Sequence, residues 1–203
     1  RKMRVDTADV EPMLGRPLHV DDPNVTRPGL GVAIGLAWTS LGGEALRVEA
    51  IALPGEKPGF KQTGHLGAVM VESSEIAYSY IRSLLHEDPE ASRRIEQSLI
   101  HLHVPAGATR KDGPSAGITM ATAIYSLVTG RRVRGRLAMT GELTLTGRVM
   151  PVGGIKEKVI AARRSGIRTL VFPEDNRKDY DMLPEAVRRG LEPFFVKRFE
   201  EVV

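Results

Sequence analysis

The stretch GPSAGITMATAIYSLVTG, residues 113–130, is the part of the sequence from which the fold can be built. Small residues surround Ser115, and a mainly apolar run follows it. This pattern predicts the most apolar helix of the chain, over residues 115–128. Gly130 is its expected stop, because glycine readily takes the left-handed conformation that ends many helices.

Strands and helices are predicted on both sides of this segment. Short apolar runs predict strands over residues 31–38, 45–53, 99–104, 137–140, 169–172 and 194–196. Apolar spacing predicts further helices over residues 7–14, 69–85 and 154–164, and helical structure after Pro173. The first two strands form a hairpin around Gly42-Gly43, and residues 142–150 form another around Gly147. Residues 54–64 are expected to be a loop or an irregular edge. Early hairpins followed by alternating helices and short strands predict an α+β, or mixed α/β, fold.

The length of the chain and the position of its proline-containing stretch indicate one main domain with an N-terminal extension. The chain has 203 residues, of which 41% are hydrophobic, and this is enough for one core. A short helix capped by Thr7 precedes a proline-containing stretch, residues 16–30, that is typical of a linker. We therefore expect an N-terminal segment over residues 1–30 and the main domain over residues 31–203.

Composition argues against several classes of protein. The chain has no cysteine, which excludes disulfides, thiolate catalysis and cysteine-bound zinc. No apolar run is long enough to span a membrane, and the polar start Arg1-Lys2-Met3-Arg4 is not typical of a signal peptide. The net charge of +4 is carried by scattered residues, and only 5% of residues are aromatic, so a nucleic-acid groove is not expected.

Ser115 is the candidate nucleophile. It lies at the predicted start of an apolar helix, where the first free N–H groups and the helix dipole favour negative charge. The backbone around it, at Pro114 and Ala116, is the candidate site for an oxyanion beside the attacking hydroxyl. The alternative is that Ser115 is an ordinary N-cap.

Residues 113–117 also match G-x-S-x-G, the nucleophile elbow of α/β-hydrolases. Chain order argues against that class, because its histidine follows the serine and every histidine of this chain precedes Ser115. Residues 105–114 also separate the serine from the preceding strand. An S-x-x-K arrangement is excluded because Ile118 occupies the position of the lysine.

A serine nucleophile needs a base, and burial can lower the pKa of a lysine enough for it to serve. Residues 153–162, GGIKEKVIAA, place Lys156 and Lys158 on one predicted helix. Small or apolar residues lie about one turn from Lys158, at Ile155, Ala161 and Ala162. The helix face favours Lys158 without deciding between the two lysines. The alternative is that both are solvated.

His101 and His103 alternate on a predicted strand and therefore share a face. Such a pair could bind a metal ion, but no acidic third ligand lies nearby in the sequence. A structural or supporting role is favoured, and neither a metal site nor a cofactor site is expected in this chain.

Several ordered motifs resemble the proteolytic domain of A-type Lon proteases, a family of ATP-dependent serine proteases. They occupy residues 102–117, 138–147, 149–158 and 161–162, with shorter matches at 36–39 and 63–67. The resemblance extends from about Gly31 to the end of the chain. One departure is Ser40, where the family usually has glutamate after W-T, so a contact of that acid is missing here.

The resemblance implies a catalytic dyad of Ser115 and Lys158, because the lysine of the family is the second one in its G-G-x-K-E-K run. It also implies that Thr140 supports the lysine. Further supporting residues are implied at Asp112, His101 and Glu49.

The implied fold is the Lon proteolytic-domain fold, and the implied function is endopeptidase action on unfolded, damaged and selected regulatory proteins. The family carries an AAA+ ATPase before this domain and assembles as a homo-hexameric ring, so residues 1–15 would be the tail of the ATPase. This chain has no G-x-x-x-x-G-K-[ST] loop, and ATP and Mg²⁺ are expected only in the ATPase. The implied location is the bacterial cytoplasm or, alternatively, the mitochondrial matrix.

Two other functions remain as alternatives. Small-molecule kinases of the homoserine/mevalonate type hold phosphates with a glycine- and serine-rich loop before a helix, and residues 113–117 could act in that way. Such a loop needs more glycine, and Lys158 would then have no role. A Lon-like domain used only for ring assembly is disfavoured by the joint presence of Ser115, Lys158 and Thr140.

Overall fold

A computed structural model describes residues 5–15, 28–39, 42–55, 57–105 and 110–203. Most of the predicted linker, and Ser40, lie outside these ranges. The helices are α1 (Thr7–Leu14), α2 (Ala68–Leu84), α3 (Pro89–Glu96), α4 (Gly117–Thr129), α5 (Ile155–Arg164), α6 (Arg177–Asp181) and α7 (Glu185–Arg188). The strands are β1 (Val32–Thr39), β2 (Gly42–Pro54), β3 (Gly59–Thr63), β4 (Ser98–His103), β5 (Leu137–Met139), β6 (Glu142–Leu143), β7 (Val149–Met150), β8 (Thr169–Pro173) and β9 (Glu192–Val196). In these ranges no helix is both long enough and apolar enough to cross a bilayer.

One mixed sheet organises the molecule, with the strand order β3-β4-β2-β1-β5-β8-β9. Strand β2 is antiparallel to β1 and β4, whereas β1, β5, β8 and β9 run parallel to one another. Parallel neighbours need a crossover connection, and the chain between β5 and β8 supplies one that contains α5. The short strands β6 and β7 pair as a separate antiparallel ribbon. The predicted α+β class is confirmed.

Helix α4 is the centre of the larger core, where it packs against α2, α3, β1 and β2. Its Ile118, Met120 and Ile124 are fully buried, as expected for a helix that is apolar on every side. Helix α5 covers the opposite face of the sheet, where Ile34 and Phe172 form part of a second core. The molecule is therefore a sheet with helices on both faces.

The predicted start of α4 is wrong by two residues, and α1 has its predicted bounds but a different capping residue. Helix α4 begins at Gly117 and not at Ser115, which lies in a turn before Ala116 at the N-cap position. Helix α1 is capped by Asp6 instead of Thr7, because the Asp6 carboxylate accepts from Ala8 N at 2.9 Å. In both cases the turn geometry before the helix, and not the apolar pattern, decides where the helix begins.

Two elements were not predicted. The segment expected to be a loop or an irregular edge contains β3, a regular edge strand parallel to β4. Helix α3 was missed, although Asp88 accepts from two backbone N–H groups of its first turn and Pro89 occupies a position that favours helix starts. The helix is short and mostly charged, so its apolar face, formed by Ala91 and Ile95, is difficult to recognise in the sequence.

Candidate active site

Ser115 lies in the turn that leads into α4 and is half-buried. Its carbonyl is held from two sides, because Thr140 Oγ1 donates to it at 3.1 Å and Gly141 N donates at 2.9 Å. Among the residues that the structure describes, none forms a hydrogen bond with Ser115 Oγ. The backbone of the serine is therefore fixed while its hydroxyl is able to rotate.

Lys158 projects from α5 into the apolar interior. Only 2% of its surface is exposed, and its Nζ donates to Thr140 Oγ1 at 3.0 Å. No carboxylate pairs with it in the described part of the chain. Burial disfavours the ammonium form and lowers the pKa of Lys158 to about 8. At pH 7 about a tenth of this lysine is therefore the neutral amine, a far larger fraction than in a solvated lysine.

The two lysines of α5 have opposite environments. Lys158 is buried beside Ile155 and Ala162 in the second core, whereas Lys156 is exposed. The lysine that the predicted helix face favoured is therefore the buried one.

Thr140 links the lysine to the serine. It follows β5 directly, is fully buried, and donates its own backbone N–H to the carbonyl of Val171 in β8. Its hydroxyl accepts from Lys158 and donates to the carbonyl of Ser115. A hydroxyl has one proton to donate, and here it is used toward Ser115, so the oxygen is left as an acceptor for the lysine.

The start of α5 is fixed against the first hairpin by a glycine. Gly154 precedes the helix with φ of 71°, and a Cβ at this position would lie 2.8 Å from Cβ of Trp38. A larger residue would be strained in its backbone and would also clash with the indole. This contact sets where α5 begins and therefore where Lys158 enters the interior.

Asp112 supports the segment before the nucleophile. Helix α2 begins after Gly67, which has no capping side chain, and Asp112 Oδ1 instead accepts from Met70 N at 3.1 Å and from Gly113 N at 2.9 Å. The pKa of Asp112 lies below its usual value, mainly because the carboxylate accepts from the Gly113 N–H. The hydrogen bond from the Met70 N–H lowers this pKa further. A Cβ at Gly67 would lie 2.1 Å from the carboxylate carbon. A larger residue at position 67 would therefore displace the Asp112 carboxylate from its place beside α2.

His101, His103 and Glu49 share one face of the sheet. Glu49 pairs with His103 across β2 and β4, and its carboxylate accepts from Arg47 Nε at 2.5 Å. Thr63 Oγ1 lies 2.9 Å from His101 Nε2 and 2.8 Å from His103 Nδ1. Burial, followed by the nearby charge of Lys61, lowers the pKa of His101.

The structure therefore brings together Ser115, Thr140 and Lys158, and it groups His101, His103 and Glu49 separately on the sheet. No hydrogen bond of a described residue joins these two groups. Sequence reasoning assigned no role to Thr63, although it belongs to one of the shorter motifs. Its position opposite the two histidines depends on the parallel pairing of β3 with β4, and that pairing was not predicted.

The two backbone positions expected at an oxyanion site differ in what they can do. Pro114 has no N–H, and its carbonyl accepts from Gly117 N at 3.1 Å and from Ser73 Oγ at 3.4 Å. Ala116 N makes no hydrogen bond among the described residues, and it lies next to the N-terminus of α4, where negative charge is favoured. Of the two, only Ala116 can donate a hydrogen bond to an oxyanion.

No group of three or more histidine, cysteine, aspartate or glutamate side chains in the described ranges is arranged to hold a metal ion. The site described above contains a hydroxyl, a buried amine and backbone N–H groups.

Comparison with known proteins identifies relatives over nearly the whole chain. Residues 4–203 match the family model of the Lon protease (S16) C-terminal proteolytic domain. A protein of Syntrophotalea carbinolica named Lon protease 1 is 52% identical over 204 residues, which is 99% of this chain. The Lon protease of Treponema pallidum is 50% identical over the full chain.

A eukaryotic relative is also similar. A protein of Ostreococcus lucimarinus named Lon protease homolog, mitochondrial, is 50% identical over 98% of this chain. The chain covers 25%, 23% and 21% of the lengths of these three relatives. It therefore spans about a quarter or less of each of them.

Proposed function

This chain belongs to the family of Lon protease (S16) C-terminal proteolytic domains, and from that membership we propose that it is a serine endopeptidase in which Ser115 is the nucleophile and Lys158 is the general base. The observation that carries the proposal is a buried lysine without a carboxylate partner in the described residues, joined through Thr140 to the backbone of the serine. An amine can accept a proton only when it is neutral, and burial favours that form.

The first step is attack by Ser115 Oγ on the carbonyl carbon of the scissile peptide bond. Lys158 takes the hydroxyl proton as the C–O bond forms. When neutral, Lys158 donates one N–H to Thr140 Oγ1 and keeps its lone pair for the serine proton. Thr140 acts as a positioning residue, since its hydroxyl contacts both the amine and the serine carbonyl.

The tetrahedral intermediate carries a negative oxygen, which the N–H of Ala116 stabilises beside the N-terminus of α4. Collapse of the intermediate breaks the C–N bond, and the ammonium of Lys158 returns its proton to the leaving amine. An acyl ester on Ser115 remains. Water then attacks the ester, with Lys158 again as base. The bond between the acyl carbon and Ser115 Oγ breaks, Lys158 returns the proton to Oγ, and the carboxylic acid product is released.

We expect peptide hydrolysis to rise with pH. The folded-state pKa of Lys158 is lowered to about 8, so the neutral, active form is scarce below that pH and dominant above it. The value of kcat/KM should rise about tenfold per pH unit between pH 6 and 7 and level off above about pH 8. A short fluorogenic peptide, hydrolysed by the protein that carries this chain with ATP and Mg²⁺ present, provides the measurement.

Lys156→Met is the control for this profile, because Lys156 is exposed and its loss should leave the midpoint near pH 8 unchanged. A rate that does not change between pH 6 and 8, or that is highest in acid, would contradict a lysine base.

The isolated chain should neither hydrolyse ATP nor bind it tightly. The kinase-like alternative requires a phosphate-binding loop at residues 113–117, whereas we propose that this segment holds a nucleophile. Titration calorimetry with ATP and Mg²⁺ should therefore give no saturable micromolar heat that Ser115→Ala abolishes. Micromolar affinity that is lost in Ser115→Ala would favour the kinase-like function over the protease.

The activity and partners of a longer protein that contains this chain are part of the same proposal. Its substrates are unfolded, damaged and selected regulatory proteins, and it forms a homo-hexameric ring with an AAA+ ATPase that binds ATP and Mg²⁺. Neither membrane nor nucleic-acid binding is proposed for this domain. The bacterial cytoplasm is the proposed location, or the mitochondrial matrix, since one relative is named as mitochondrial.

A further inference from the structure

A cavity of about 300 Å³ lies at the opposite end of β5 from Thr140. It is lined by the residue that precedes β5, by the turn between α5 and β8, and by the turn that leads into β9. Its lining includes four arginines and two glycines, namely Arg136, Arg163, Arg168, Arg189, Gly166 and Gly190. No acidic residue is among the described residues that line it. The cavity is thus separated from the proposed dyad by the length of a strand.

Two of these arginines have existing partners. Arg163 donates to the carbonyls of Ala186 and Val187 and so ties α5 to α7. Arg189 lies 4.0 Å from Glu185, one turn earlier, in a highly exposed pair that contributes little. Arg189 therefore has a weak counter-charge, whereas Arg163 is bound only to uncharged carbonyls.

The other two arginines have side chains without an acidic partner. In the described ranges, neither Arg136 nor Arg168 forms an ion pair. On the adjoining strand, the carboxylate of Glu192 accepts from Thr169 Oγ1 at 3.5 Å. The cavity lining therefore carries four exposed guanidinium groups, and among the described residues only that of Arg189 has a carboxylate partner, Glu185.

The backbone keeps these two arginines together. Arg136 has φ of 57°, a left-handed conformation that is uncommon outside glycine. Its carbonyl accepts from Arg168 N at 2.9 Å and from Thr169 N at 3.0 Å. These bonds hold Arg136 next to Arg168 in a conformation that costs on the order of 1 kcal/mol. Strained backbone that neighbouring hydrogen bonds maintain is often found at functional sites.

Guanidinium groups match phosphate in geometry as well as in charge, because each presents parallel N–H donors to two oxygens. Neighbouring cations that lack counter-charges repel one another, and a bound polyvalent anion would remove that repulsion. We propose that this cavity binds a phosphate-class oxyanion, either free phosphate or pyrophosphate or the terminal phosphoryl group of a small ester. The site is distinct from the proposed dyad and does not depend on it.

The test is anion binding to the purified chain at constant ionic strength. Orthophosphate, pyrophosphate and glycerol phosphate are titrated in separate calorimetric experiments, with chloride as the reference anion. We expect one saturable site per chain, with shifts in the NMR signals of the Gly166 and Gly190 amides. The double variant Arg136→Gln/Arg168→Gln should weaken binding at least about tenfold, since each of its two substitutions removes a charged hydrogen-bond donor.

A matched control, Arg93→Gln/Lys57→Gln, removes two exposed charges outside the cavity and should leave the affinity unchanged. Binding of the inorganic anions alone assigns the site to free phosphate, and equal binding of the ester assigns it to a phosphoryl group. The proposal is overturned if no anion binds more tightly than chloride, if both double variants weaken binding equally, or if the shifted amides lie elsewhere. Circular dichroism of each variant verifies that it is folded.

Discussion

Ser115→Ala is expected to reduce peptide hydrolysis to less than about one part in a thousand of the wild-type rate. The substitution removes the atom that forms the acyl ester. Loss of the nucleophile in serine proteases usually costs this much or more, because the remaining groups cannot form the covalent intermediate. The measurement is steady-state cleavage of casein and of a short peptide by the protein that carries this chain.

The variant should remain folded. The contacts that position residue 115 are made by its carbonyl, with Thr140 and Gly141, and alanine keeps that carbonyl. Ser83→Ala, on the exposed side of α2, is the matched control and should keep full activity. Residual cleavage by the Ser115 variant above one part in a thousand, after contaminating proteases are excluded, would point to a different nucleophile.

Much of the fold could be predicted from apolar periodicity. The central helix and the strands of the core are long or strongly apolar, so burial decides their structure. The misjudged elements are those in which burial contributes little. Helix α3 is short and charged, and β3 is an edge strand whose pairing with β4 joins residues far apart in sequence.

Helical periodicity favoured Lys158 without deciding, because it reports which side of α5 is buried, and the family resemblance then implied this lysine. The contacts of Asp112 could not be predicted from the sequence, because its carboxylate caps a helix that begins more than forty residues earlier, after Gly67. The arginine-lined cavity could not be predicted from the sequence for the same reason. Its members are dispersed along the sequence, and a count of scattered charges gives no sign that folding gathers Arg136, Arg168 and Arg189 around one cavity.

Lys158→Met should be inactive, while the same substitution at Lys156 should leave activity largely intact. Methionine keeps much of the volume of lysine but cannot accept a proton, so the serine proton would have no acceptor. We expect at least about a thousandfold loss for Lys158→Met. Lys158→Arg should also be inactive, because a guanidinium stays protonated. Peptide cleavage by the three variants under identical conditions provides the comparison.

Stability separates a catalytic role of Lys158 from a structural one. Burial lowers the folded-state pKa of Lys158 from 10.5 to about 8, so the charged form costs about 3 kcal/mol in the folded state. That cost is fully present below pH 8, decreases between pH 8 and 10.5, and is absent above. At pH 7, Lys158→Met removes the cost but also one hydrogen bond to Thr140, worth about 1 kcal/mol. Its free energy of unfolding in urea should therefore equal or exceed that of the wild type. Inactivity accompanied by unfolding would indicate a structural lysine, and an active Lys158→Met beside an inactive Lys156→Met would show that the exposed lysine is the base.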